Sequence, residues 1–292
     1  MAATGMRDND RAHGALLRLK SRVLDLSTPI VMGVLNVTPD SFSDGGRHAT
    51  VAAALARARE MAGEGASIID VGGESTRPGA PAVAESEELQ RVLPVIERIR
   101  RELDCAISID TMKPAVMRAA CAAGAELIND VMALRAPGAL EAARDSGAAV
   151  CLMHMQGEPR TMQRSPVYAD VVEEVSAFLR DRAAACLAVG IGRDRIVLDP
   201  GFGFGKTLDH NLELLGGIDV LAELGLPVLV GVSRKSMFGT LTGQPVESRL
   251  SGSLAAAALA VWQGAHIVRT HDVRATIDAL KVTAAVRAAR PA

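Results

Sequence analysis

Asp110, Asn129 and Asp199 each close a short apolar run, in CAISID, AELIND and RIVLDP. At the end of such a run a side chain sits partly desolvated, so two carboxylates and an amide need donors. A flat heterocycle with a guanidine-like edge, a ring N–H beside an exocyclic amine, would satisfy them. A glycosidase-style acid/base pair, or a metal site of Asp and His, uses the same residue types, and the pattern alone leaves both open. A second group is cationic: Lys235 in VSRKS, and Arg269 and His271 in VRTHD. Arg offers a fork to phosphate oxygens and Lys a point charge, so together they point to an anionic substrate. Ser236 opens the short helical stretch SMFGTL after Lys235, and the first N–H groups of a helix suit an anion such as a carboxylate.

These residues need a frame that brings distant strand ends together. Eight apolar runs recur, at 29–36, 66–73, 105–110, 125–130, 148–154, 195–200, 227–233 and 265–271. They read as continuous, which is how strands buried on both faces look. Between them lie amphipathic segments such as 51–66 and 170–190, the latter placing Val171, Val175, Phe178, Leu179 and Ala183 on one face. GEGAS, AAGAE, DSGAA and WQGAH each put a glycine where a helix must stop before the next strand. Eight βα units predict an α/β fold, a single closed (β/α)8 TIM barrel with its active site at the C-terminal ends of the strands. An open doubly wound sheet would carry G-x-G-x-x-G in its first βα turn, and NVTPDSFSDGG does not. Every run ends in something polar or turn-forming: Asn36, Gly72-Gly73-Glu74, Asp110, Asn129-Asp130, His154, Asp199, Ser233-Arg234-Lys235, and Arg269 with His271. An Asp in such a place is more often a helix cap than a catalyst. Eight such coincidences argue for a site.

The composition agrees with one large soluble domain. Of 292 residues 49% are hydrophobic and 23% charged, and a net charge of -2 gives no attraction to nucleic acid or to an anionic membrane. Residues 1–15 read as a disordered tail, and 16–292 as the barrel. No apolar run reaches the roughly 18 residues of a membrane span. Cys105, Cys121, Cys151 and Cys186 are scattered, which fits a reducing compartment, so the expected location is the cytoplasm.

The chain has only five phenylalanines. Three lie in loops at the expected active face: Phe42 in LNVTPDSFSDGG, and Phe202 and Phe204 in DPGFGFGKT, which reads as a mobile turn. Stacking on a flat substrate explains them better than core packing. GFGKT is not a P-loop, because the first glycine of that motif would fall on Pro200. Histidine and cysteine spacing gives neither a zinc site nor a thiol nucleophile. Any metal should be hard and oxygen-bound, such as Mg²⁺ held mostly by substrate phosphates.

Together, MGVLNVTPDSFSDGG, IIDVGGESTRPGA, ISIDTMKPAV, LINDV, LDPGFGFGK, GVSRKS and VRTHDV resemble the motifs of the dihydropteroate synthases, in that family's order, over roughly residues 29 to 273. The resemblance implies condensation of para-aminobenzoate with 6-hydroxymethyl-7,8-dihydropterin pyrophosphate, giving 7,8-dihydropteroate and pyrophosphate. It assigns Asp110, Asn129, Asp199 and Lys235 to the pterin, and Arg269, His271 and Asn36 to the pyrophosphate, with Asn36 also near Mg²⁺. Thr76, Arg77 and Pro78 fall in a second mobile loop. Phe42, Phe204 and Ser236 match positions around the aminobenzoate, and NVTPDSFSDGG is expected to close as a lid. The catalytic set is then Lys235, Arg269, His271 and Asp110. Sulfonamides, as aminobenzoate mimics, are expected inhibitors, and the family implies a homodimer. Two alternatives remain at this point: a pterin-dependent methyltransferase domain on the same barrel, and a non-catalytic pterin-binding paralogue.

Overall fold

The eight apolar runs become eight parallel strands, and inside them lies a period of two. The computed structural model describes residues 16–37, 46–75, 80–158 and 161–289. A hairpin of β1 (Leu16–Arg18) and β2 (Val23–Asp25) comes first. The barrel strands follow as β3 (Ile30–Asn36), β4 (Ile68–Gly72), β5 (Ala106–Asp110), β6 (Leu127–Asp130), β7 (Ala149–Met153), β8 (Ile196–Asp199), β9 (Leu229–Val230) and β10 (Ile267–Thr270). They pair in the order β8-β7-β6-β5-β4-β3-β10-β9. A parallel bridge between Leu198 and Val228, with Leu198 N–H donating to the Pro227 carbonyl at 2.9 Å, joins the two ends. The fold is the expected TIM barrel.

The helices are α1 (Gly46–Glu64), α2 (Glu85–Glu102), α3 (Pro114–Ala123), α4 (Ala139–Ser146), α5 (Val171–Ala188), α6 (Leu208–Gly216), α7 (Ile218–Ala222), α8 (Ser236–Thr242), α9 (Leu250–Trp262) and α10 (Val273–Ala288). Asp170 caps α5 by accepting from the N–H groups of Val172 and Glu173, and Thr207 caps α6. Gly65, Gly124, Gly147 and Gly264, at the four expected helix stops, all take positive φ.

Odd and even strand positions go to different cores. Val31, Leu35, Ile69, Val71, Ile107, Ile109, Ile128, Val150, Leu152, Ile196 and Leu198 pack outward on the helices. Met32, Ile68, Ala106, Leu127, Ala149, Val197, Leu229 and Ile267 point inward and form the lowest interior layer. Leu17, Leu19 and Leu26, from the hairpin and its flanks, close that layer from below. The turn of the hairpin is tied down by Glu126, which is buried, accepts from Ser21 N–H at 2.9 Å and pairs with Arg22. Each fully buried aliphatic side chain there contributes about 1.5–3 kcal/mol. The runs look continuous only because both faces are apolar at this end. Nearer the C-terminal ends the inward positions change character, and that change makes the site.

Candidate active site

Strand register sets Asn36, Gly72 and Asp110 side by side on β3, β4 and β5, with Asn129 next to Asp110 on β6. Two residues below Gly72 on the same inward face is Asp70, fully buried. Arg269 reaches across from β10, its Nε donating to Asp70 Oδ2 at 2.6 Å and its Nη2 to Asp110 Oδ2 at 2.8 Å. Asn129 Nδ2 also donates to Asp70 Oδ2, at 3.1 Å. Asp70 is thus the anchor of the cluster, and reading strand ends alone misses it. The signal is present in IIDVG, a carboxylate in the middle of an apolar run.

A cleft opens above this layer. Asp110, Asn129, Asp199, Phe204, Lys235 and Arg269 all line it. Burial pushes the Asp110 carboxyl up to about 7, with Arg269 pulling down and Asp70 adding to the rise. Burial also raises Asp199, against the Gly201 N–H that donates to its Oδ1 at 2.7 Å. Lys235 is held down to about 8 by burial, opposed by Asp199, and its Nζ lies 4.4 Å from the centre of the Phe204 ring. Burial works against the Arg269 charge as well, but Asp70 and Asp110 outweigh it and raise its pKa. The arrangement is rich in acceptors and fits a ligand edge that donates several N–H groups.

The other expected residues fall as follows. Asn36 ends β3, half-buried; its Oδ1 lies 3.7 Å, and Asp110 Oδ2 3.8 Å, from where a Cβ on Gly72 would sit. Both oxygens thus lie beside the position where Gly72 has no side chain. His271 follows β10, where its Nδ1 is 3.0 Å from Ser233 Oγ. Ser236 is the first residue of α8 and is exposed. Phe42, Thr76, Arg77 and Pro78 lie outside the described residues, as does the tail 1–15. Asp130 is the helpful counterexample among strand ends. Its carboxylate accepts from the N–H groups of Met132 and Leu134 and simply shapes the turn. Among the described residues no cluster of three or more His, Cys, Asp and Glu side chains is disposed to hold a metal ion.

The loop from β8 to α6 corrects two expectations. Phe202 is fully buried in the main core, so it is a packing residue, although it also borders the cleft. Phe204 is partly exposed at the cleft and packs against Met153, Met155 and Met162. Nor is the loop a loose turn. Gln163 and Tyr168 donate to the carbonyls of Gly203 and Gly205, and Gly203 N–H donates to Asn211 Oδ1 at 2.7 Å. The loop lies so close to the β7 end that a Cβ on Gly201 would sit 1.9 Å from the His154 carbonyl oxygen.

Lys235 is aimed by its neighbour. Arg234 holds a left-handed φ of 57°, costly for a residue with a Cβ. Its N–H donates to Ser253 Oγ at 2.8 Å, and its guanidinium binds both oxygens of Asp272, tying the end of β9 to the end of β10.

Comparison with known proteins places the chain in a family. A family model described as pterin binding enzyme matches residues 32–271. The dihydropteroate synthase of Escherichia coli K12 is 54% identical over 267 residues, covering 91% of this chain and 95% of that protein. The Yersinia pestis dihydropteroate synthase, solved with a sulfonamide drug complex, superposes with a TM-score of 0.90 at 51% identity, covering 94% of this chain and all of the other. The Xanthomonas albilineans enzyme, solved with 4-aminobenzoic acid, gives 0.89 at 53% identity, covering 95% and 100%. A barrel with carboxylates and cations gathered at its mouth, matched over nearly its whole length by such relatives, belongs to the dihydropteroate synthases, transferases of the pterin-binding enzyme family.

Proposed function

We propose that the cleft divides between the two halves of the pterin substrate. Asp110, Asn129 and Asp199 accept from and donate to the amino-pyrimidine edge, with Lys235 beside the ring. Arg269, His271 and Asn36 take the pyrophosphate. One observation carries this reading: three acceptor-rich strand ends and two cations line the same cleft.

The C–O bond to the leaving group breaks with its electron pair departing on pyrophosphate. Charge on that group is met by Arg269, which Asp70 and Asp110 hold in place, and by His271. The buried carboxylates favour the positive charge that spreads over the pterin. The aromatic amine of para-aminobenzoate then forms the C–N bond and releases its proton to water. No strong general base is needed, because an aromatic amine is already nucleophilic. Positioning does the remaining work. Asn36 Oδ1, a hard oxygen beside Gly72, would serve as the protein ligand of Mg²⁺, with the substrate supplying most of the rest. When bound it would neutralise charge on the departing pyrophosphate.

Para-aminobenzoate sits against Phe204, with Ser236 facing its carboxylate, and Phe42, Thr76, Arg77 and Pro78, outside the described residues, are assigned to the same substrate by the family resemblance. Sulfonamides would compete there. Leu259, Trp262, Val282 and Val286 are exposed on α9 and α10, which pack together, and support a homodimer through that face. Four buried, unpaired cysteines support a cytoplasmic location, and no helix among the described residues is long and apolar enough to cross a membrane. Sedimentation reads the first of these proposals and cell fractionation the second.

The decisive assay follows pyrophosphate release from the pterin substrate with Mg²⁺, with and without para-aminobenzoate. Aminobenzoate-dependent release with a dihydropteroate product is expected. Release without it would mean the acceptor site is misplaced, and tight pterin binding without release would overturn the catalytic reading.

A further inference from the structure

Lys206 has a charge and no place in the mechanism. It belongs to the GFGKT stretch that is not a P-loop, and it is only 3% exposed. Its Nζ is 3.0 Å from His154 Nδ1, 3.0 Å from the Gly201 carbonyl oxygen and 3.2 Å from that of Phe204. An ammonium has three N–H donors, and here there are three acceptors. Two of them are the carbonyls that bracket Phe202 and Phe204, the third a histidine at the end of the neighbouring strand. His154 is kept neutral by burial, its pKa pushed down to about 3, so it is free to accept. Burial also draws Lys206 down to about 7, so the site bears a real cost for holding this cation. A buried charge that reaches neither cleft nor solvent is there for what it holds.

We infer that Lys206 is a positioning residue for the acceptor substrate: its ammonium pins the Gly201–Phe204 segment from behind and so sets the Phe204 face against which para-aminobenzoate binds. This rests on the reading of Phe204 as the aminobenzoate wall. Asp110, Asn129 and Arg269 stand on other strands and make none of the Lys206 contacts, whereas Asp199 accepts from Gly201 N–H at the near end of the pinned segment and Lys235 Nζ lies 4.4 Å from the Phe204 ring, so the larger effect should fall on aminobenzoate and a smaller one on the pterin.

The test measures both Michaelis constants for Lys206→Met, Lys206→Gln and Phe204→Leu, with thermal unfolding as a check on folding. Met keeps the stem and loses every donor, while Gln keeps polarity but is one bond too short to reach all three acceptors. We expect Lys206→Met to raise the aminobenzoate KM by about tenfold, Lys206→Gln by less, and the pterin KM to move by less than about twofold in both. A folded variant whose aminobenzoate KM is unchanged, or whose two constants rise together, overturns the inference. So does a failure of both variants to fold, which would make Lys206 a purely structural residue. If Phe204→Leu leaves the aminobenzoate KM alone, the wall reading itself fails and takes the inference with it. If Phe204→Leu raises it and the Lys206 variants do not, only the inference falls.

Discussion

The two ends of the barrel interior are built from the same strands and do opposite things. Below, Met32, Ile68, Leu127, Val197 and Ile267 meet the hairpin leucines in a dry plug. Two residues further along the same inward faces come Asp70 on β4, Asn129 on β6, Asp199 on β8 and Arg269 on β10. The lower layer is satisfied by packing alone. The upper one is only half satisfied: Asp70 Oδ1 and Ser108 Oγ are buried without a hydrogen-bond partner, and Asp110 and Lys235 are both pulled toward neutrality by burial. A fold can carry such a layer because the other end supplies the stability. The difference teaches that stability and chemistry are separated along the barrel axis.

The largest expected effect tests the upper end. Lys235→Met should lower kcat/KM by about 10²–10³-fold, the scale for losing a charge aimed at a reacting centre. Its melting temperature should change little, because the desolvation cost of the half-buried ammonium is lost together with its attraction to Asp199. A large loss of stability in this variant would break the separation. Conversely, Leu17→Ala leaves a cavity in the plug and should destabilise by about 2–5 kcal/mol. Thermal unfolding would show it, while kcat of the folded fraction should be unchanged. A fall in kcat would mean that the two ends are coupled.

A smaller effect sharpens the comparison by its pH dependence. From the ordinary 3.8 up to about 7, the folded protein keeps a proton on Asp110 that the unfolded chain has released. Stability contributed by that proton is therefore present at low pH and lost as pH rises through this window. Asp110→Asn should then stabilise the ligand-free protein by on the order of 1 kcal/mol at pH 8, by roughly a third as much at pH 5, and not at all below the unfolded value. Activity should be lost at both. Equal melting shifts at the two pH values would show that Asp110 is not held at a cost.

How much of this is legible in the sequence? The strands are, because each is an apolar run between turn residues, and so are the residues that end them. Asp110, Asn129, Asp199, Lys235 and Arg269 stand out from the residue order alone, since a polar residue after four buried ones has few bland explanations. Asp130 shows the limit, because it follows Asn129 immediately and only shapes a turn. Phe202 misleads for a related reason: a loop position looks solvated, yet the chain folds it into the core. The hairpin is unreadable, its strands being three residues each and too short to show a period. Lys206 is hidden inside a false motif.

By itself, then, the amino-acid order determined the eight βα units, the helix stops and which residue types would gather at one rim, because these depend on local periodicity and on what each side chain costs to bury. Only the tertiary structure decided the register that slides Asp70 beneath Asp110, the reach of Arg269 across the barrel to both, and the clasp of Lys206 on a loop from behind. Those contacts join residues on different strands and loops. Their geometry exists only once the sheet has closed, so no pattern along the chain could have announced them.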